Sequence, residues 1–120
     1  MKRLDVGVLG ATGMVGQNYV RLLQSHPWFR VTHLSASPRS AGKTYAQAVQ
    51  GRWLMPAALP EQVADLVVAD VDDVQAAEAE CDFVFSALAL EKSALRALEE
   101  RYAAAGLPVV SNNSAHLFFF

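Results

Sequence analysis

The stretch from residue 4 to residue 16 constrains this chain more than any other. A short apolar run, Leu-Asp-Val-Gly-Val-Leu, passes directly into Gly10-Ala11-Thr12-Gly13-Met14-Val15-Gly16. The length and valine content of the run suit a buried parallel strand. Beyond the glycines, Val15, Tyr19, Leu22 and Leu23 fall at i, i+4, i+7 and i+8, which predicts one apolar face of a helix. Ser25-His26-Pro27 ends that helix, because proline disfavours helical geometry in the residue before it. Spaced glycines between a first strand and a first helix are the context for dinucleotide binding. Gly10 permits the tight turn, Gly13 lets backbone approach a pyrophosphate, and Gly16 lets helix and sheet pack closely. The unpaired N–H groups and positive dipole end of the helix then face the phosphates.

The rest of the chain alternates in the same sense. Residues 30–35 read as a strand, and 37–43 as a polar loop carrying Pro38 and Gly42. Residues 44–60 hold no clean period and predict only short pieces. Strands are expected at 66–69, 82–86 and 107–110, with a short helix at 72–79 between the first two. Leu95, Leu98 and Tyr102 share a face of a helix over 91–105, and Gly106 stops it. Residues 111–114, Ser-Asn-Asn-Ser, read as a polar loop. Strands alternating with helices predict an α/β fold: a Rossmann-like, doubly wound, mainly parallel sheet in one domain over 1–120. The ending, Leu117 and three phenylalanines, either enters a core strand or marks a cut where a longer protein would continue.

Composition narrows the function. Hydrophobic residues make up 52% and charged residues 18%, the opposite of a disordered chain. Ten basic against twelve acidic side chains leave a net charge of -2, without the basic footprint of a nucleic-acid binder. One cysteine supports neither a disulfide framework nor a Cys-based zinc site. Apolar runs break well short of the ~18 residues of a membrane helix. The opening Met-Lys-Arg-Leu-Asp does not resemble a signal peptide, so a soluble cytoplasmic protein is expected.

NAD-binding domains place an acid about 20 residues beyond the glycines, at the end of the second strand, to hold the ribose hydroxyls. Here the region reads Ser35-Ala36-Ser37-Pro38-Arg39-Ser40. An arginine among serines suits a 2′-phosphate through charge-assisted bonds, so NADP is favoured over NAD. No metal site is expected: His26 and His33 lack a second ligand at metal spacing, and Asp70, Asp72 and Asp73 read as a solvated loop and a helix start. Cys81 precedes a strand at the end away from the ligand edge. Glu78, Glu80 and Asp82 around it raise its pKa, so it is not a nucleophile.

The chain resembles the aspartate-semialdehyde dehydrogenase family, in particular its archaeal and fungal-like branch. The resemblance runs through V-G-V-L-G-A-T-G-M-V-G (6–16), H-P-W-F (26–29), S-P-R-S-A-G-K-T-Y (37–45), D-F-V-F-S-A-L (82–88) and A-G-L-P-V-V-S-N-N-S-A-H (105–116). It implies an NADP-dependent oxidoreductase of amino-acid biosynthesis that reductively dephosphorylates aspartyl phosphate to aspartate semialdehyde. In that family a cysteine attacks the acyl carbon and NADPH reduces the thioester. By resemblance, Thr12, Gly13, Met14 and Val15 line the pyrophosphate. Ser37, Arg39 and Ser40 hold the adenine ribose phosphate, Ser86, Ala87 and Leu88 border the cofactor, and Asn112 and Asn113 approach the nicotinamide side. The family's catalytic Asn-Cys segment and the histidine beyond it are absent from this sequence. It is therefore expected to hold the NADP-binding half without catalytic residues, and to self-associate or to need a C-terminal domain.

Alternatives are a stand-alone NADP-binding module, or the same half of an acyl-phosphate reductase acting on N-acetylglutamyl phosphate or of a malonyl-CoA reductase. A short-chain dehydrogenase is excluded. It needs a lysine four residues after a tyrosine, and Tyr19, Tyr45 and Tyr102 are followed there by Leu23, Val49 and Gly106.

Overall fold

The computed structural model describes residues 3–113 and 116–119. Six strands form one sheet: β1 (Leu4–Leu9), β2 (Phe29–Ala36), β3 (Ala69–Asp70), β4 (Phe83–Ser86), β5 (Val109–Asn113) and β6 (His116–Phe119). The helices are α1 (Met14–Leu23), α2 (Tyr45–Ala48), α3 (Glu61–Ala64), α4 (Val74–Glu80) and α5 (Lys92–Ala104). The spatial order is β3-β2-β1-β4-β5-β6. The first five strands are parallel and β6 pairs antiparallel to β5. From β1 the chain winds outward to β3, then returns to the other side of β1 and winds outward again. The order therefore reverses between β1 and β4, where doubly wound sheets leave a crevice at the carboxyl ends of their strands. Leu9 is in register with Ser35 on one side and Ser86 on the other, so those ends stand level.

Alternation along the strands splits the core in two. Val6, Val8 and Leu34 pack with Val20 and Leu23 of α1 and with Tyr45, Ala48 and Val63 on one face. Leu9, Val84 and Val109 pack with Ala77 of α4 and with Leu95, Leu98 and Tyr102 of α5 on the other. Among the described residues, no helix is long and apolar enough to cross a membrane.

Three expectations need correction. First, α1 buries Gly16, Gln17, Val20 and Leu23, while Val15 and Leu22 are 42% and 57% exposed. Gly16 has no side chain to hold the helix off the loop, so its own stripe seats on the sheet. The apolar set at 15, 19 and 22 is turned to the flank, where Tyr19 stacks on Phe85. Second, the paired residues of β3 are Ala69–Asp70, starting three positions later than expected and ending one later. The Val68 N–H is already bonded to Lys43 O, and Val68 O accepts from the Gly42 N–H, so that backbone is unavailable to β2. Third, the Ser-Asn-Asn stretch is strand: Ser111 pairs with Ser86, and Asn113 opposes His116. Ladder pairing on both sides outweighs the weak strand preference of these residue types. Leu117 and Phe118 lie in β6, Phe119 ends it, and Phe120 is outside the described residues.

Candidate dinucleotide-binding site

At the reversal point a groove of about 220 Å³ opens over the carboxyl ends of β1, β2 and β4. Its walls include Gly10, Thr12 and Gly13 from the glycine loop, Ser37 after β2, Val71 after β3, and Ala87 and Leu88 after β4. Of the residues expected from sequence, these six apart from Val71 meet at one place. Met14 and Val15 stand exposed on the first turn of α1 beside the loop, and Ser86 lies fully buried at the end of β4. Asn112 and Asn113 close β5, and only their backbone placement is described.

The three motif glycines do different work. Gly10 has φ +78°, and a Cβ on it would meet Ala87 O at 2.9 Å. Its N–H and that of Ala11 both donate to Ser35 O at 2.9 Å, which closes the turn against β2. A Cβ on Gly16 would stand 2.0 Å from Gly10 O and 2.7 Å from Ala11 Cα, so this glycine is required by packing. Gly13 differs. Its φ is −79°, it is exposed, and a Cβ there would meet only Gly10 O, at 3.8 Å. The fold does not need a glycine at 13, but a ligand lying on the backbone does. Gly13 is also the N-cap of α1 and offers no side-chain cap, so the first N–H groups of the helix are left for an anion.

Two side chains to which the sequence assigned no role hold this loop in shape. Tyr45 Oη donates to Ala11 O at 2.7 Å, and Gln17 Nε2 donates to Thr12 O at 2.9 Å. With those carbonyls drawn inward, the planar trans peptides turn the N–H groups of Thr12 and Gly13 the other way. The Gly13 N–H keeps only a long contact, 3.4 Å, to Gly10 O. Gln17 also donates to Arg52 O and accepts from Leu54 N, both at 2.9 Å, so a buried amide stitches the loop to residues 52–54. Gln17 falls off the apolar face expected at 15, 19, 22 and 23, so the sequence pattern carried no signal for it. Burial pushes the Tyr45 hydroxyl pKa up, which keeps it a donor.

The loop after β2 forms a compact turn in which the N–H groups of Ser40 and Ala41 donate to Ser37 O, at 2.9 and 3.2 Å. Ser37 and Arg39 are exposed and Ser40 is buried beneath the turn. Among the described residues the Arg39 side chain has no hydrogen bond and no ion pair. An acid does stand nearby in space, since Asp70 of β3 is in register with Ala36. Its Oδ1 accepts from the Asp72 N–H at 2.9 Å.

Cys81 caps the C-terminus of α4, before the amino end of β4 and across the sheet from the groove. Its Sγ donates to Ala77 O at 3.1 Å. Burial, then Glu80, Asp82 and Asp5, push its pKa up to about 12. The third acid is thus Asp5 of β1, not Glu78, because strand pairing brings it across. His33 is buried with Nδ1 2.6 Å from Glu80 Oε1. Asp73 caps α4 through the Ala76 N–H, and Asp72 pairs with Arg101. Among the described residues no group of three or more His, Cys, Asp or Glu side chains could hold a metal ion.

Residues 5–118 match a family model described as semialdehyde dehydrogenase, NAD binding domain. The chain is 41% identical over 114 residues to the aspartate-semialdehyde dehydrogenase of Archaeoglobus fulgidus, covering 95% of this chain and 31% of that protein. It is 43% identical over 110 residues to the Cryptococcus neoformans enzyme of that name, covering 92% of this chain and 29% of that protein. A crystal structure of aspartate semialdehyde dehydrogenase with NADP from Candida albicans superposes with a TM-score of 0.82 at 42% identity, over 94% of this chain and 30% of that one. The chain thus spans about 30% of the length of the relatives it matches. The glycine loop at the switch point lies within the matched region, and the chain belongs to the NAD-binding-domain family of the semialdehyde dehydrogenases.

Proposed function

We propose that residues 1–120 form a domain that binds NADP(H) and serves as the cofactor-binding part of an aspartate-semialdehyde dehydrogenase. One observation carries the reading. The open backbone at Gly13 and the uncapped start of α1 meet Ser37 at one groove at the switch point, and the exposed Arg39 follows two residues beyond Ser37. That the Candida albicans relative was solved with NADP supports the choice of cofactor. Thr12, Gly13, Met14 and Val15 take the pyrophosphate, with Gly10 making the turn and Gly16 the close packing that hold the loop for it. Ser37, Arg39 and Ser40 take the adenine ribose and its 2′-phosphate. Ala87 and Leu88 border the cofactor beyond β4, with Ser86 buried beneath them at the strand's end, and Asn112 and Asn113 approach the nicotinamide side. When bound, the cofactor supplies a hydride for reduction of an acyl group derived from aspartyl phosphate. Cys81 takes no part, being protonated and on the far side of the sheet.

A cytoplasmic site of action belongs to the same reading, as does association. Val15, Leu22 and Trp28 (58% exposed) leave apolar surface for a second copy or a further domain. Calorimetric titration of the chain with NADPH and NADH tests the proposal. Tighter binding of NADPH, lost in Arg39→Ala, supports it, and equal affinities for the two cofactors refute the NADP assignment.

A further inference from the structure

The structure assigns Glu99 as a positioning residue for the nicotinamide half of the dinucleotide, acting through Ser111; this rests on the NADP(H) reading above. Glu99 lies within α5 and is 0% exposed. Its helix otherwise presents Leu95, Leu98 and Tyr102 to the core. A buried carboxyl is costly unless it is hydrogen-bonded, and a well-packed apolar side chain usually serves stability as well or better. Glu99 accepts a hydrogen bond from Ser111 Oγ, at 2.8 Å and out of contact with water. That bond ties the carboxyl end of β5 to α5.

The place of that bond in the sheet gives it a role. Ser111 is in register with Ser86, which is in register with Leu9, so it stands level with the residue before the glycine loop. Asn112 and Asn113 follow at once, before the chain reverses into β6. The glycine loop lies after β1 and the Arg39 turn after β2. With the pyrophosphate on the first and the adenosine half toward the second, the other half of the dinucleotide extends over β4 and β5. The strand end under it is the one that Glu99 pins.

The test uses the full chain and two ligands: NADPH, and adenosine 2′,5′-bisphosphate, which carries the phosphorylated adenosine without a nicotinamide. Ser111→Ala and Glu99→Leu are each expected to weaken NADPH about tenfold, a factor typical of one lost buried hydrogen bond. The double variant should lose less than the sum of the two single losses, because both remove the same bond. Adenosine 2′,5′-bisphosphate should stay within about twofold of wild type, and Glu99→Gln, which keeps an acceptor, should recover most of the NADPH affinity. Nicotinamide fluorescence, enhanced on wild type, should fall back toward that of free NADPH in the two weakened variants. Thermal melts run alongside, and Ser111→Ala carries the test should Glu99→Leu fail to fold. Unchanged NADPH affinity in Ser111→Ala overturns the proposal, as does an equal loss for both ligands. A wild-type chain that binds neither ligand overturns the dinucleotide reading itself, and the role of Glu99 with it.

Discussion

Gly13 and Gly16 stand three residues apart in one motif, and substitution should separate them completely. Consider Gly13→Val and Gly16→Ala. At position 13 the added Cβ has its nearest neighbour at 3.8 Å and the backbone φ of −79° suits any residue. Losing glycine at an N-cap costs up to about 1 kcal/mol. Restricting the unfolded chain returns about 0.4–1 kcal/mol. Stability should therefore change by less than ~1 kcal/mol, while the valine methyls fill the space a pyrophosphate needs. At position 16 a single methyl would lie 2.0 Å from Gly10 O, 2.7 Å from Ala11 Cα and 2.8 Å from Gly10 C. All three are backbone atoms and none can rotate away, so α1 must move off the glycine loop. A helix propensity gain of about 1 kcal/mol is outweighed by overpacking of about 3 kcal/mol or more. For a domain of this size that is a fall in melting temperature of roughly 10 °C or more. Circular-dichroism melts and NADPH titrations of the two variants decide the matter. Gly13→Val should melt like wild type and fail to bind; Gly16→Ala should melt early. A Gly13→Val protein that binds NADPH normally, or a Gly16→Ala protein of wild-type stability, refutes the reasoning.

Arg39→Ala should weaken NADPH by about 1.5–3 kcal/mol, the range for hydrogen bonds to a charged group, and leave NADH within about twofold in a parallel titration. Tyr45→Phe removes the 2.7 Å bond to Ala11 O and leaves a fully buried carbonyl unpaired; a loss of about 1–3 kcal/mol in urea unfolding is expected, and no loss would mean that water replaces the hydroxyl. Cys81 should react slowly with a disulfide reagent at pH 8, because burial and three acids hold its pKa at about 12 and suppress the thiolate. The reaction should accelerate as pH rises or when denaturant unfolds the chain. Fast modification of the folded protein at pH 8 would contradict this environment.

Local pattern was enough for much of this protein. The glycine spacing after an apolar run announced the turn, the first helix and the groove above them, because each depends on residues only a few positions apart. Arg39, with no acid beside it in the sequence, is likewise a local signal, and it is the ground of the proposed 2′-phosphate contact. Three features were decided only in the assembled structure. Which stripe of α1 is buried depends on the space that Gly16 opens against Gly10, so Val15 and Leu22 face outward although their spacing is that of a core face. The Ser-Asn-Asn stretch becomes strand because β4 and β6 complete its hydrogen bonds. Gln17, Tyr45 and Glu99 reveal their roles only through partners as far apart in sequence as residues 54, 11 and 111. Periodicity and turn chemistry record what a segment prefers by itself. The pairing of buried polar groups is a property of the assembled sheet, and only there do these side chains meet what they hold.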